Sequence, residues 1–374
     1  MAGIYIHIPF CKKACHYCNF HFSTATALKD TFVTALLQEI ELRKTYIVEP
    51  VETIYFGGGT PSLLPTTDIK RILGFLMQTF KVSNLAEITL EANPDDINTE
   101  KLRDWRNIGI NRLSIGVQSF IENDLKWMNR AHNASEALKC IQLAQQEGFY
   151  NLTIDLIYGT PTLSDENWQH NVQTAIDLQI PHLSCYALTV EPKTALEKLI
   201  EKKVLDEVDP EKQARHFEQL MRWMKVAGYD HYEISNFARQ GYKSKHNSSY
   251  WQGKNYLGLG PSAHSFNGES RQWNVANNAL YIQSLSDGQV PFEVEILTKD
   301  QQLNEYIMTS LRTMEGISLQ KITHYFGEDQ RKNLLQTAAR YIQLRHLIIE
   351  ADHLKTTSSG KLLADGIAAD LFVI

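Results

Sequence analysis

The sequence has no surplus of basic residues, no long apolar run and no second Cys-x2-Cys pair, and each absence removes a class of protein. Lysine and arginine total 37 against 43 aspartates and glutamates, for a formal net charge of -6. Without a positive excess, binding to nucleic acid through its phosphates is not expected. No stretch approaches the roughly 18 uninterrupted apolar residues that span a bilayer. The opening Met-Ala-Gly-Ile-Tyr-Ile-His-Ile-Pro-Phe has neither the basic flank nor the apolar centre of a signal peptide. A cytoplasmic protein is expected, with at most peripheral contact with a membrane. A repeat of fixed period and low-complexity segments are also lacking.

What is present is the balance of a globular protein with a sizeable core: 43% hydrophobic and 21% charged residues over 374 positions. That length predicts a large domain and a smaller one. The five cysteines are unevenly placed, with Cys11, Cys15 and Cys18 inside eight residues. In a reducing compartment an odd count points to metal ligands or core residues rather than disulfides. Cys140, in a helical pattern, and Cys185, in an apolar strand, read as buried structural residues.

Short β-branched runs at Ile4–Ile8, Thr53–Phe56, Glu87–Leu90, Arg112–Val117, Leu152–Ile157 and His182–Leu188 alternate with helix-period segments such as Thr31–Lys44, Ile69–Phe80, Ala134–Glu147 and Asn167–Leu178. That alternation predicts an α/β protein of parallel βα units. Six units suit an incomplete TIM-like (βα)6 barrel, and periodicity alone leaves an open doubly wound sheet equally available. The polar residues favour a site. Gly57-Gly58-Gly59-Thr60-Pro61 follows the second strand, Glu91 ends the third, Gln118 follows the fourth, Asp155 lies in the fifth, and Tyr186-Ala187 closes the sixth. In a parallel barrel these positions converge at the C-terminal rim.

The expected organisation is a barrel over 1–230, a loop-rich extension over 231–298 that completes the core, and a small C-terminal domain over 299–374. The extension is rich in Gly, Asn, Ser and aromatics, which need burial. The last segment returns to helical periodicity and ends in an apolar run with a Ser-Ser-Gly turn, as a helical, winged-helix-like domain with a β-hairpin would. From Lys299 onward it carries nine basic and nine acidic residues, which argues for a structural or partner-docking role over DNA binding.

The chemistry sits in Cys11-x3-Cys15-x2-Cys18. Thiolates are the soft ligands that iron-sulfur clusters and zinc prefer. A structural zinc site needs four ligands, and His16 or His21 is available as the fourth. Three thiolates around a cubane instead leave one iron open to a small chelating ligand. Gly57–Ser62 has neither a P-loop lysine nor a complete dinucleotide fingerprint.

Cys11-Lys12-Lys13-Ala14-Cys15-His16-Tyr17-Cys18, at the end of the first strand, resembles the radical SAM superfamily motif. The resemblance implies a [4Fe-4S] cluster on Cys11, Cys15 and Cys18. It also implies S-adenosyl-L-methionine (SAM) chelating the open iron, and an electron donor able to reduce the cluster so that the sulfonium is cleaved. Gly58, Gly59 and Thr60 match the glycine motif that meets the methionine end of SAM. Tyr5, Tyr17, Glu91, Gln118, Arg130, Asp155 and Ala187 match SAM-contacting positions of the oxygen-independent coproporphyrinogen III oxidases. Without that likeness Arg130 and Asp155 would read equally well as an ordinary ion pair or cap.

The resemblance extends over nearly the whole chain and leaves two readings. The oxidases usually have a fourth cysteine two residues after the third and a substantial N-terminal extension, whereas this sequence has Phe20 there and begins ten residues before Cys11. HemW-type heme chaperones resemble the oxidases but carry His-Asn-x-x-Tyr-Trp, matched by His246-Asn247-Ser248-Ser249-Tyr250-Trp251. That likeness implies heme as a further cofactor, contacted by His246, Asn247, Tyr250 and Trp251, and a heme-accepting protein as partner. A neutral imidazole is a good axial ligand. His264 is a second candidate ligand, although Gly260-Pro261-Ser262-Ala263 beside it reads better as a backbone wall of the SAM site. Tyr250 and Trp251 read equally as core aromatics that orient the loop. A homodimer stays open.

Overall fold

The computed structural model describes residues 2–373. Strands β1 (Ala2–Ile8), β2 (Val51–Gly58), β3 (Val82–Ala92), β4 (Arg112–Gln118), β5 (Leu152–Tyr158) and β6 (His182–Ala187) lie side by side in that order, all parallel. The intervening helices are α1 (Lys29–Leu42), α2 (Thr66–Thr79), α3 (Thr99–Asn107), α4 (Glu122–Trp127), α5 (Ala134–Gln146) and α6 (Asp165–Asp177). After β6 come α7 (Ala195–Glu201) and α8 (Pro210–Val226).

Alternation explains the layering. In β1, Ile4, Ile6 and Ile8 point outward and are fully buried in a core shared with α1's Phe32, Val33, Leu36 and Ile40 and α2's Ile69, Ile72 and Leu76. Each such side chain contributes about 1.5–3 kcal/mol on burial. Local signals agree, since α5 starts with an Asn133–Glu136 capping box and α3 with Asn98 accepting from the Lys101 N–H. The other side-chain set faces the lumen. Tyr5, Thr53, Tyr55, Thr89, Glu91, Arg112, Ser114, Asp155 and His182 make it polar and aromatic, where a closed eight-stranded barrel would be filled with aliphatic side chains.

The sheet continues past both ends of the parallel set. β7 (Asp230–Glu233) and β8 (Asn236–Ala238) form a hairpin against β6. On the other side β9 (Asn255–Leu259) adds a further parallel strand beside β1, followed by antiparallel β10 (His264–Phe266), β11 (Ser270–Asn274) and β12 (Phe292–Ile296). Among the described residues β7 and β12 are the two edges, so the sheet does not close on itself. The 231–298 stretch, expected to be loops, also supplies α9 (Lys245–Trp251) and α10 (Asn278–Ser286). Its strands are three to five residues long, too short to leave a period in the sequence.

Beyond β12, Leu303, Ile307, Leu311, Ile317, Ile322, Leu334, Leu347, Leu354 and Ile367 form a separate core. It joins α11 (Lys299–Leu311), α12 (Leu319–Phe326) and α13 (Glu328–Gln343) to a small sheet of β13 (Ile317–Ser318), β14 (Leu347–Glu350) and β15 (His353–Thr356). Ser358-Ser359-Gly360, read as a turn from sequence, opens the short helix α14 (Ser358–Lys361), and α15 (Ala364–Asp370) follows it. Backbone bonds from Ile234 N–H to Arg312 O (2.9 Å) and from Met314 N–H to Tyr232 O (3.0 Å) fasten this unit to the β7 end of the sheet. Among the described residues no helix is long and apolar enough to cross a membrane.

Candidate functional site

The loop after β1 is held in shape at both ends. Cys11 N–H donates to Ser23 O (3.0 Å) and Ser23 N–H to Pro9 O (2.9 Å), closing its base. Its far side is tied to the turn after α4: Asn129 Nδ2 donates to Ala14 O at 2.7 Å, His16 N–H to Met128 O at 3.2 Å, and Lys13 Nζ to Arg130 O at 3.2 Å. Leu196 N–H of α7 donates to His16 O at 2.7 Å. Lys12 pairs with Asp95 and Asp96 in the loop after β3. Several strand ends therefore hold one cysteine loop.

Cys11, Cys15 and Cys18 line a cavity of about 500 Å³ at the C-terminal ends of the strands. Of the expected SAM-contacting residues, Tyr17, Gly58, Gly59, Thr60, Glu91, Gln118, Arg130, Asp155 and Ala187 line the same cavity. Thr60 Oγ1 donates to Cys11 Sγ at 3.5 Å, and Arg130 Nη1 donates to Cys15 Sγ at 3.2 Å and to Tyr17 Oη at 3.4 Å. Arg130 Nη2 is fixed by Asn93 Oδ1 (2.8 Å) and Gly116 O (2.7 Å). Gln118 is held at φ 67°, the left-handed region that non-glycine residues seldom adopt. Asn93 was missed in the sequence, although it stands two residues beyond Glu91 in Glu-Ala-Asn-Pro and so on the same face.

The electrostatics follow from enclosure. Burial pushes the Cys18 thiol up to about 11 and raises that of Cys11. Glu91, half-buried on the cavity wall and enclosed by protein elsewhere, accepts from Tyr55 Oη at 2.8 Å, and desolvation holds its carboxyl at about 8. Desolvation likewise raises Asp155 to about 6. Both carboxylates gain from a ligand that brings positive charge or hydroxyl donors into the cavity.

Other expected residues stand elsewhere. Tyr5 is not on the cavity wall. It lies deeper, its hydroxyl 3.2 Å from His7 Nδ1 and its ring stacked near Tyr55 and His246. His246 lies at the opposite, N-terminal end of the lumen, 1% exposed. Its Nδ1 is 2.8 Å from Thr53 Oγ1, its Nε2 is 2.8 Å from Tyr250 Oη, and its backbone N–H donates to Glu87 at 3.1 Å. Burial, with Arg112 nearby, pushes this imidazole down to about 3. It is neutral, but both ring nitrogens are engaged, so in this conformation it offers no lone pair to an iron. The six-residue motif is the helix that floors the barrel: His246 and Ser249 face inward, and Trp251 lies under the Arg312 guanidinium at 5.3 Å.

Gly260-Pro261-Ser262-Ala263 does not wall the cavity either. Gly260 packs on the backbone of His7 and donates to the buried Glu39 at 2.8 Å, while His264 is exposed on β10 beside Trp273. The two histidines available as a fourth zinc ligand are engaged: His16 Nδ1 is 2.9 Å from Trp127 O and His21 Nε2 is 2.7 Å from Asn278 Oδ1. Cys140 and Cys185 are buried away from the loop.

The donor set fits an iron-sulfur cluster with an organic ligand beside it. Three soft thiolates occupy one wall, whereas among the described residues no three His, Cys, Asp or Glu side chains converge on a single ion position. The hard acceptors Glu91 and Asp155 share the cavity, and Arg130 Nε is buried without a partner. The volume lies within the usual 300–1,000 Å³ of small-molecule sites.

Comparison with known proteins agrees. The radical SAM superfamily profile matches residues 5–175 and the HemN C-terminal domain profile matches residues 297–363. The chain is 38% identical to the heme chaperone HemW of Escherichia coli K12 over 98% of this chain and 96% of that protein. It is 34% identical to HemW of Bacillus subtilis over 98% of each. A zebrafish relative, radical S-adenosyl methionine domain-containing protein 1, mitochondrial, is 31% identical over 98% of this chain and 86% of its own. The solved E. coli coproporphyrinogen III oxidase HemN superposes with a TM-score of 0.87 at 24% identity, covering 100% of this chain and 90% of that one, a likeness of fold. Matched end to end by these relatives, the chain belongs to the HemW family within the radical SAM superfamily.

Proposed function

We propose that this chain is a cytoplasmic heme chaperone, binding heme and passing it to an acceptor protein. It would carry a [4Fe-4S] cluster on Cys11, Cys15 and Cys18 with SAM in the same cavity. The observation that carries the reading is likeness of 34% and 38% over 98% of the chain to proteins named as heme chaperones. Held by Cys11, Cys15 and Cys18, the cluster would supply a reducing electron, and SAM bound beside it would supply a cleavable sulfonium.

The chain's own residues bind, orient and shield. Thr60 and Arg130 donate to the sulfurs of Cys11 and Cys15 and so fix where those sulfurs stand. Gly58 and Gly59 bring backbone to the cavity without side-chain bulk, and Glu91, Gln118, Asp155 and Ala187 line the same cavity as the cysteines. Phe20, 66% exposed at the mouth where the oxidases usually have a fourth cysteine, offers apolar surface in place of a ligand.

For heme, the motif contributes in two ways. Asn247 and Trp251 are half-buried and stand on the side of α9 away from the lumen. His246 and Tyr250 hydrogen-bond to each other, so they reach iron only if α9 leaves the floor. The test is a heme titration of anaerobically reconstituted protein followed by absorbance, with coproporphyrinogen III, SAM and reductant in a parallel reaction. Saturation near one heme per chain without carbon dioxide release supports the chaperone. No heme above background, with carbon dioxide released, replaces it with the oxidase.

A further inference from the structure

Arg112, the first residue of β4, is 1% exposed, and none of its three guanidinium nitrogens has a hydrogen-bond partner among the described residues. Beside it in register on β3, Thr89 is 0% exposed and its Oγ1 is also unpartnered. Two orphaned polar side chains thus share one layer of the lumen. A buried guanidinium whose donors meet no acceptor is costly, so the fold tolerates this layer only where water or other polar groups reach those donors.

The polar side chains around this layer are bonded to other partners and make no hydrogen bond to Arg112. His182 is bonded to Thr153 through Nδ1 and to Tyr232 through Nε2, and His246 to Thr53 and Tyr250. Burial, then the Arg112 charge, keeps both imidazoles neutral. Glu87 accepts the N–H groups of Lys245 and His246 at the start of α9. The remaining carboxylates of the lumen are above. Glu91 is in register with Ser114, the next inward residue of β4 after Arg112, and Asp155 is on the adjoining strand in register with Ser184. Glu91, Ser114 and Asp155 all line the cavity. After burial, the Arg112 charge is among the influences on each carboxyl and favours its ionised form.

We infer that Arg112 is a positioning residue of the cofactor cavity, holding Glu91 and Asp155 in place through ordered water in the barrel lumen. Buried polar groups of this kind are commonly satisfied by water with two to four partners, and Arg112, Thr89, Glu91 and Asp155 supply such a set. SAM carries an ammonium group and ribose hydroxyls, and aligned carboxylates accept from both. The inference rests on reading the cavity as a SAM site.

The experiment is equilibrium dialysis of labelled SAM against full-length, anaerobically reconstituted protein, with iron and sulfide assayed in each sample. Arg112→Gln should weaken SAM binding about tenfold or more at unchanged iron content, and Arg112→Lys, which restores the charge, should recover to within about threefold of wild type. A purely packing role would lower the melting temperature and leave SAM affinity alone, so Arg112→Gln binding within about twofold of wild type overturns the inference. Should Arg112→Gln not fold, Thr89→Val decides, with a threefold or greater weakening expected and wild-type affinity overturning it. Wild-type protein that holds its cluster but binds no SAM sinks the cofactor reading as well, whereas equal binding by wild type and variant sinks Arg112 alone.

Discussion

Arg130 donates from Nη1 to the Cys15 sulfur at 3.2 Å while its other nitrogen, Nη2, is held by Asn93 Oδ1 and Gly116 O. One planar group thus joins the cysteine loop to two strand ends.

Arg130→Met should remove that link and leave Asn93 Oδ1 and Gly116 O without their donor. We expect a loss of about 2–4 kcal/mol in denaturant unfolding. Iron per chain after reconstitution should fall below half of wild type. Arg130→Lys should rescue little, since an ammonium group does not reproduce the planar fork. Wild-type iron content in Arg130→Met would remove this side chain from the account of the cysteine loop.

Gly59 lies where two chains of backbone nearly touch: a Cβ there would stand 2.7 Å from Phe10 O and 2.8 Å from Ile8 O. Gly59→Ala should push the β2 turn away from Phe10 and so displace Cys11, the next residue. Circular dichroism should remain close to wild type while the cluster's visible absorbance drops severalfold. An alanine variant with a full cluster spectrum would mean that the turn yields without moving the cysteine.

The Glu91 carboxyl, raised to about 8 by burial in the ligand-free chain, gives a signed pH dependence. Its folded pKa exceeds the unfolded one near 4.5, so the folded state binds the extra proton. Its contribution is therefore present in full below the unfolded value and is lost as pH rises towards 8. Glu91→Gln should flatten the decline in stability between these values, by an amount on the order of a few kcal/mol. Urea unfolding of ligand-free protein at several pH values measures it, and identical slopes in both proteins would contradict the assignment.

His246→Ala should cost about 2–4 kcal/mol, because it opens space beside Tyr5 and Tyr55 and strands Thr53 Oγ1 and Tyr250 Oη. Heme titrated well below the melting transition should bind as in wild type if the imidazole serves the floor alone. Loss of heme at an unchanged melting temperature would assign it to the iron instead.

The six parallel strands and their helices were legible because each buries one apolar face, which leaves a period in the sequence. The convergence of Cys11, Cys15 and Cys18 on one cavity was legible because three cysteines within eight residues share a single loop. Asn93 was not, since an asparagine before proline reads first as a turn residue. The position of His246 was also hidden. A polar, aromatic helix resembles a surface loop until the lumen beneath it proves to be lined with Thr53, Tyr55 and Glu87 rather than aliphatic residues. β9 escaped notice because its partner β1 lies some 250 residues earlier, and strand pairing at that separation has no local signature.

Trp251 meets Arg312, and Arg312 in turn holds the buried Glu233 at 3.2 Å and Asp365 at 2.8 Å. The helix that seals the bottom of the barrel is thus braced from outside by the C-terminal unit. The two cores behave as wall and buttress, and a fragment cut before α11 would keep every residue that lines the cavity of the cysteine loop yet lose the brace under α9. Damage to the C-terminal unit therefore travels through α9 to the lumen and arrives at the cysteine-lined cavity from below.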